Sequence, residues 1–554
     1  KPGEFPLLTK DHHEVAFCAP LWEFRADRAA MPLAALCWDG GVAAAAVEPY
    51  SESEAGIIRN GVFAALPDAF GISLGYTNDP TTFKNRSTPA PSTRSMACKA
   101  QTSGRIYLHS GPRTALHEII RQEYARHQDR AVPRNTLRQA VQGMLDTFAY
   151  QNFDAAAGEY TNRCCRPPRE TEMRPWRLVT EIGWTGGGVL AYPLVLCRDA
   201  LGADAEAPLA AAMSGEQLFD RIADAYNENS GLLNDLMVPN AAGSQVNGWW
   251  TGYGLVKDCH CAYTVGSAVH YLTKTMDYLH QNGKPCPAKW MDAAQKVLHT
   301  VMDLQRADGA FGYTYSTQER KVLDWSGFAG CWFAPALVYL YRLTGEERCL
   351  HSAEKALDYY HTFVKDLNCY GTPMDTWKAV DEEGNLAFMR GSRLLYEQTG
   401  KAEFLQYMKD SAGYEFLWRY GYKTYPEHTP LNQGWSACGG AVTSVSNPHI
   451  HPMGVIIDTD LRYLARVTGD GYYASRAADS AAWMLQCLEL YPAATGYGRY
   501  GILSERWCPS DGLDVERFSD GRPFSSWFSH NLWASACVLE AACELLLEIE
   551  HKKG

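Results

Sequence analysis

The sequence predicts an α+β multidomain protein: an N-terminal β-sandwich over residues 1–130, then an (α/α)6 toroid, a closed ring of six helical hairpins, over 131–554. Three observations predict it. Short apolar or alternating runs occupy the first part, long amphipathic segments occupy the second, and a helix–Thr-Gly–helix unit recurs within the second.

In the first part EVAFCAPLW (14–22), LAALCW (33–38), FGISLGY (70–76) and GRIYLHSG (104–111) are separated by turn-rich stretches such as TNDPTTFKNRSTPAPST (77–93). Runs of this length bounded by Pro, Gly, Asn and Ser read as strands. A short helix, ALHEIIRQEYARHQ (115–128), leads through DRAVPRN into the second part.

Beyond Asn135 three copies of the repeat are plain, at 336–360, 391–417 and 460–485. In each, a glycine (Gly345, Gly400, Gly469) stands where a left-handed cap ends the first helix, and a polar residue follows as the second begins. Twelve helices are expected, near 136–150, 183–200, 215–229, 260–281, 288–305, 326–343, 347–365, 385–398, 402–420, 453–467, 472–489 and 527–548. Those starting near 183, 260, 326, 453 and 527 are small and apolar almost all round, whereas their neighbours are amphipathic, as an inner ring wrapped by an outer one requires. An open solenoid of helical repeats is the alternative, and it would serve as an interaction scaffold with short turns. Here the connections on one side are long and rich in Trp, Gly, His and Pro (240–258, 432–452 and 505–527), which favours a closed ring carrying function on one face.

At 554 residues, 46% apolar and 21% charged, the chain can bury a large core, so disorder is excluded. Its 51 Lys and Arg against 63 Asp and Glu give a net charge of -12, which leaves no general footprint for a nucleic-acid backbone. No apolar run is long enough to span a membrane, and KPGEFPLLTK at the start lacks the apolar stretch of a secretion signal. Seventeen cysteines, an odd number scattered through helical segments, read as buried thiols in a reduced cytoplasm; a periplasmic or secreted location requires that a signal has been removed.

At this point a resemblance can be stated. VLDWSGFAGCWFAPALVYLYRLTG (322–345) resembles the helix of unsaturated glucuronyl and rhamnogalacturonyl hydrolases in the six-hairpin glycosidase superfamily, and Asp324 matches the catalytic Asp of those enzymes. LQRADGAFGY (304–313) is similar to a Gln-x-x-Asp-Gly turn shared by such toroids. With a β-domain ahead of the ring, the whole most resembles glycoside hydrolase family 154, which implies an exo-acting β-glucuronidase. The Trp-Gly-Arg-Gly-Asn motif of the unsaturated uronyl hydrolases is missing, so their hydration mechanism is not carried over.

In a toroid the inner-helix starts face one funnel, so residues just before them are the candidates. Glycoside hydrolysis needs one carboxylic acid and one carboxylate. Asp324 is the leading general acid, set among aromatics that would desolvate it; otherwise it is a helix N-cap. Asp258, Glu181 and Glu505 compete for the second place. The alternative for Asp258 is a helix cap, and for Glu181 an ion pair with an arginine of 163–177. Trp184, Trp250, Trp325, Trp377 and Trp507 are expected as sugar platforms, with core packing as the alternative for each. Arg506, and more weakly Arg390, would hold a substrate carboxylate. Asp375, His260, His449, His451 and His530 complete the expected binding set. Asp258-Cys259-His260-Cys261 and His449-Ile450-His451 lack the second ligand pair of a zinc site, so no metal is expected. GWTGGG (183–188) follows no strand and lacks phosphate-loop spacing, so no nucleotide or other cofactor is expected. The expected partner is an oligosaccharide or polysaccharide, with a homo-oligomer possible. A polysaccharide lyase, a sugar epimerase and a carbohydrate-binding scaffold are the rival readings.

Overall fold

The computed structural model describes residues 22–53, 56–65, 70–76, 103–127, 130–164, 174–176, 182–183, 187–235, 248–251, 254–372, 378–427, 431, 434–444, 447–490, 501, 503–508 and 529–551. Helices α1 (Leu116–His127), α2 (Leu137–Thr147), α3 (Gly188–Leu201), α4 (Glu206–Ala211), α5 (Gly215–Asp224), α6 (Ala262–Gln281) and α7 (Ala288–Asp303) come first. They are followed by α8 (Phe333–Thr344), α9 (Glu347–Lys365), α10 (Glu383–Thr399), α11 (Ala402–Glu415), α12 (Asp458–Thr468), α13 (Gly471–Cys487) and α14 (Leu532–His551). All twelve helices expected beyond Asn135 are present, with short α4 as an addition.

The sequence explains where these helices begin and end. Thr136 and Ser214 open α2 and α5 with capping boxes closed by Gln139 and Gln217. Gly345, Gly400 and Gly469 end α8, α10 and α12 at φ of 73°, 65° and 69°, the left-handed caps that the Thr-Gly repeat predicts. Two inner helices begin later than expected, because the chain first makes 3-10 turns at Ala329–Trp332 and Met453–Ile457.

Inner helices pack in sequence: α3 on α6, α6 on α8, α8 on α10, α10 on α12, α12 on α14, and α14 back on α3. The ring is therefore closed. Helices α2, α5, α7, α9, α11 and α13 wrap it from outside. Burial follows this division: every side chain of α6 from Ala262 through Asp277 is buried, whereas α5 buries one stripe of Leu218, Phe219, Ile222 and Ala223.

A buried charge network crosses the ring between the inner helices. Lys274 of α6 binds Glu540 and, at 2.8 Å, Glu544 of α14, and lies 4.2 Å from the Tyr192 ring centroid of α3. Burial and the Arg390 charge push Lys274 down, but the two carboxylates outweigh them and its pKa is raised. Arg390 of α10 chelates Asp460 of α12 at 2.8–2.9 Å and donates to the Ile456 carbonyl at 3.0 Å.

The N-terminal part contains β1 (Trp22–Arg25), β2 (Leu33–Trp38), β3 (Gly41–Val47), β4 (Tyr50–Ser53), β5 (Gly56–Ala65), β6 (Phe70–Tyr76) and β7 (Gly104–Ser110). They make two antiparallel sheets, one in which β5 pairs with β1, β4 and β6, and one ordered β2-β3-β7. The run 14–22 lies outside the described residues except for Trp22. Helix α1 joins these sheets to the ring: Tyr124 donates to Asp479 of α13 at 2.6 Å, and Arg121 pairs with Asp470 at 2.6 Å. The cysteines whose side chains are described are free thiols, and no described helix is long and apolar enough to cross a membrane.

Candidate active site

Short strands lash together the loops that lead into the inner helices. Cys259–Cys261, ahead of α6, pairs with Thr314–Ser316, which pairs with Val322–Asp324 ahead of α8. Phe328 N–H then donates to the Tyr370 carbonyl, Tyr370 bridges Val380, and Asp381, ahead of α10, bridges Ser444. Ala441–Ser444 pairs with Asn447–His451 ahead of α12, and Ile450 bridges Trp507. Residues far apart in the chain are thereby gathered at one end of the ring.

Asp324 ends its strand with one carboxylate oxygen accepting from the Ser326 N–H and Oγ, both at 2.8 Å, and the other 2.6 Å from Lys378 Nζ. Burial pushes its carboxyl up, but Lys378 and Ser326 outweigh it and hold the pKa below the ordinary 3.8. The expectation of a protonated Asp324 is corrected here: aromatic surroundings are present, but an ammonium lies against the carboxylate. Lys378 has φ 53° and Asp258 φ 61°, left-handed conformations that non-glycine residues rarely adopt and that cluster at functional sites.

Asp258 is exposed and is not a helix cap, since Cys261 holds that position for α6. It sits two strands away from Asp324 and three residues along from the row that joins Cys261, Thr314 and Asp324, or roughly 10 Å in each direction. Trp325 is half-buried, with the Arg306 guanidinium 5.3 Å from its ring centroid.

A second cluster forms where Ile450 meets Trp507. Glu505 is buried and accepts a hydrogen bond from Asn531, the residue before α14, while Arg506 Nε lies 3.5 Å from its other oxygen. His451 donates from Nδ1 to the His449 carbonyl at 2.7 Å, which fixes Nε2 as its basic nitrogen, and its ring stacks on Trp533 at 6.1 Å. Burial and the Arg506 charge lower its pKa to about 3, so the imidazole is neutral. His449 is buried beside it.

Three expected binding residues belong to the framework instead. Arg390 is committed to Asp460 and the Ile456 carbonyl in the ring's charge network. Trp507 is only 3% exposed and packs edge-on against Trp483 at 5.2 Å, because its strand turns Ile450 and Trp507 inward together. His260 is fully buried with both nitrogens engaged, Nδ1 2.7 Å from Asp235 and Nε2 2.9 Å from Ser230 Oγ. This arrangement has the order of a hydrolytic Ser-His-Asp triad, but a serine 1% exposed offers no surface to a substrate. Glu181, Trp184, Asp375 and Trp377 lie outside the described residues. Trp250 and His530 fall in strands Gly248–Thr251 and Ser529–His530, whose side chains there lie outside the described residues as well.

Sequence reasoning missed Lys378, Asn531, Trp533 and the acidic start of α10. Asp381-Glu382-Glu383 stands just before and at an inner-helix start, so the rule that selected Asp324 could have found it. Glu382 is fully buried against Glu415, and a Cβ placed on Gly454 would lie 2.2 Å from Glu382 and 3.0 Å from Glu415. Burial, then the Glu415 charge, raises the Glu382 pKa well above 4.5 against the pull of Arg419. Arg419 binds Glu415 and Asp458, both at 2.7 Å. Glu383 hydrogen-bonds Tyr263 of α6, whose hydroxyl also approaches Met453 Sδ at 3.7 Å. Among the described residues no group of three or more His, Cys, Asp or Glu side chains is arranged to hold a metal.

This architecture is the six-hairpin toroid. No family model and no curated protein matches the chain. Among solved structures it is similar to a cellobiose 2-epimerase from Bacillus thermoamylovorans, at 11% identity over 78% of this chain and 99% of that one with a TM-score of 0.46. It is also similar to a family 76 mannosidase from Bacteroides thetaiotaomicron (14% identity, 75% and 99% covered, TM-score 0.44). An unsaturated glucuronyl hydrolase from Streptococcus agalactiae is a third (12%, 77% and 92%, TM-score 0.43). At these values the likeness assigns no chemistry to this chain.

Proposed function

We propose that this protein is a glycoside hydrolase that removes a terminal sugar, a uronic acid such as glucuronate, in the manner of an exo-β-glucuronidase. The observation that supports this reading is the ionised, partly accessible Asp324 carboxylate, held by Lys378 and Ser326 at the end of the ring where a second carboxylate, Glu505, and a guanidinium, Arg506, also stand. In this scheme Asp324 is the base or nucleophile and Glu505 the second carboxyl group, since glycoside cleavage divides its two roles between a pair of them. Arg506, with about a fifth of its side chain exposed, would receive the sugar carboxylate. Asp258 and Glu181 remain the alternatives to Glu505, and Trp184, Trp250, Trp325 and Trp377 the stacking surfaces.

A panel of chromogenic monosaccharide glycosides, uronic and neutral, assayed with and without chelator, tests this directly. Release from a uronide, insensitive to chelator and lost in Asp324→Asn, is expected. Turnover of none of the panel by folded protein would refute it.

The rival is a lyase or epimerase that moves the proton next to a uronate carboxylate, with His451, whose Nδ1 is committed to the His449 carbonyl, as the proton carrier. Ultraviolet absorbance of an unsaturated product would reveal the lyase. A carbohydrate-binding scaffold would bind sugar equally well with or without Asp324→Asn and turn nothing over.

A further inference from the structure

The β2-β3-β7 sheet is inside out. Its outer edge strand β7 turns Arg105, Tyr107 and His109 toward the protein and Ile106 and Leu108 toward solvent, at 80% and 75% exposure. The inward polar groups are not misplaced: Arg105 binds Glu123 of α1 at 2.6 and 2.7 Å and Glu48 at 2.7 Å, and the Tyr107 hydroxyl donates to Glu123. That network fixes the register, and a slip of one residue would break it. The apolar side chains are thus held outward by design of the strand.

Cross-strand pairing shows how the outer face is shaped. One row joins Leu36, Ala43 and Leu108, the next joins Ala34, Ala45 and Ile106, and a third joins Trp38, Gly41 and Ser110. Ala43 and Ala45 leave a shallow trough over the middle of β3, bounded at one end by the Trp38 indole, which lies across Gly41, and at the other by the buried Ala34. Its walls are Leu36 and Trp38 (46% and 48% exposed) on one side and Ile106 and Leu108 on the other. No charged residue occupies these rows. A sugar would find one indole but no hydrogen-bonding side chain beyond Ser110, and an ionic partner would find nothing to pair with.

We propose that this face is the contact between two copies of the chain, packed sheet on sheet about a twofold axis. The shape supports a second copy because trough and walls are complementary to themselves: the Ile106/Leu108 wall of one copy fills the alanine trough of the other. The area supports it too. The four wall side chains expose roughly 500 Å² on one copy, near the upper end for a monomer's largest apolar patch, and a pair would bury about 1,000 Å², the lower bound for a specific interface.

Light scattering with size exclusion and sedimentation equilibrium test the proposal on the full chain. The wild type is expected to be a dimer at micromolar concentration. Ile106→Lys/Leu108→Lys is expected to weaken the dimer at least ~100-fold, since buried charges would meet no partner. Because these side chains point to solvent, melting temperature and catalytic rate should stay at wild-type values. Ala45→Arg, which puts a charge into the trough beside Ile106 and leaves the wall side chains in place, should give the same dissociation. A wild type that stays monomeric at tens of micromolar overturns the proposal, as does a dimer that survives both variants.

Discussion

Glu382 and Asp324 are carboxyl groups ahead of neighbouring inner helices with opposite fates, decided by what faces each of them. Glu382 meets Glu415 and holds its proton; Asp324 meets Lys378 and gives it up. Because the folded state binds the Glu382 proton more tightly than the unfolded chain does, the stabilisation is complete below pH 4.5 and is lost as pH rises toward the folded value. Glu382→Gln should therefore melt a few degrees higher than the wild type at pH 8, with the gap closing as pH falls to 4.5. A gap that is constant with pH would show that Glu382 does not titrate. For Asp324 the lever is Lys378. Lys378→Met should move the acid limb of the pH–rate profile to higher pH, and Asp324→Asn should lower kcat by at least ~100-fold with folding intact. Neither partner was legible in the sequence. Lys378 is 54 positions from Asp324, and Glu415 is separated from Glu382 by a whole helical hairpin.

Helical elements were far more legible, because each carries its own signals. Period, capping residue and terminal glycine are local properties, and they located all twelve ring helices. The inner starts were placed several residues early because Gly- and Trp-rich stretches such as 326–332 and 453–457 look helical in composition but form tighter turns under tertiary packing. Strand β3 was missed for a similar reason: GVAAAAV has few β-branched residues, and only its neighbours hold it extended. Two kinds of glycine separate cleanly at this scale. Gly345, Gly400 and Gly469 face open space, so alanine there should cost only backbone strain, about 1 kcal/mol each, and the costs should add across these distant hairpins in urea unfolding. Gly454→Ala drives a methyl into the Glu382 carboxyl and should cost more, about 2–3 kcal/mol.

Across the whole molecule, closure was readable as an expectation from alternating helix character, but the groups that join the seam were not. Arg390 had the type and position of a substrate ligand, and only the packing of α10 on α12 shows it to be part of the framework. Lys274 ties α6 to α14 and lies over Tyr192 of α3, so it touches both sides of the closing contact. Lys274→Met leaves Glu540 and Glu544 buried without their cation and should destabilise by about 3–5 kcal/mol in equilibrium unfolding. An added Glu540→Gln should recover part of that loss by removing one of the stranded charges.

The seam between α14 and α3 also orders events at the ribosome. The surface of α3 that α14 covers is made early and stays wet until the 20 residues of α14 have themselves been made. Until then the nascent polypeptide is an open horseshoe with an oily mouth, and its two ends meet only when α14 docks on α3.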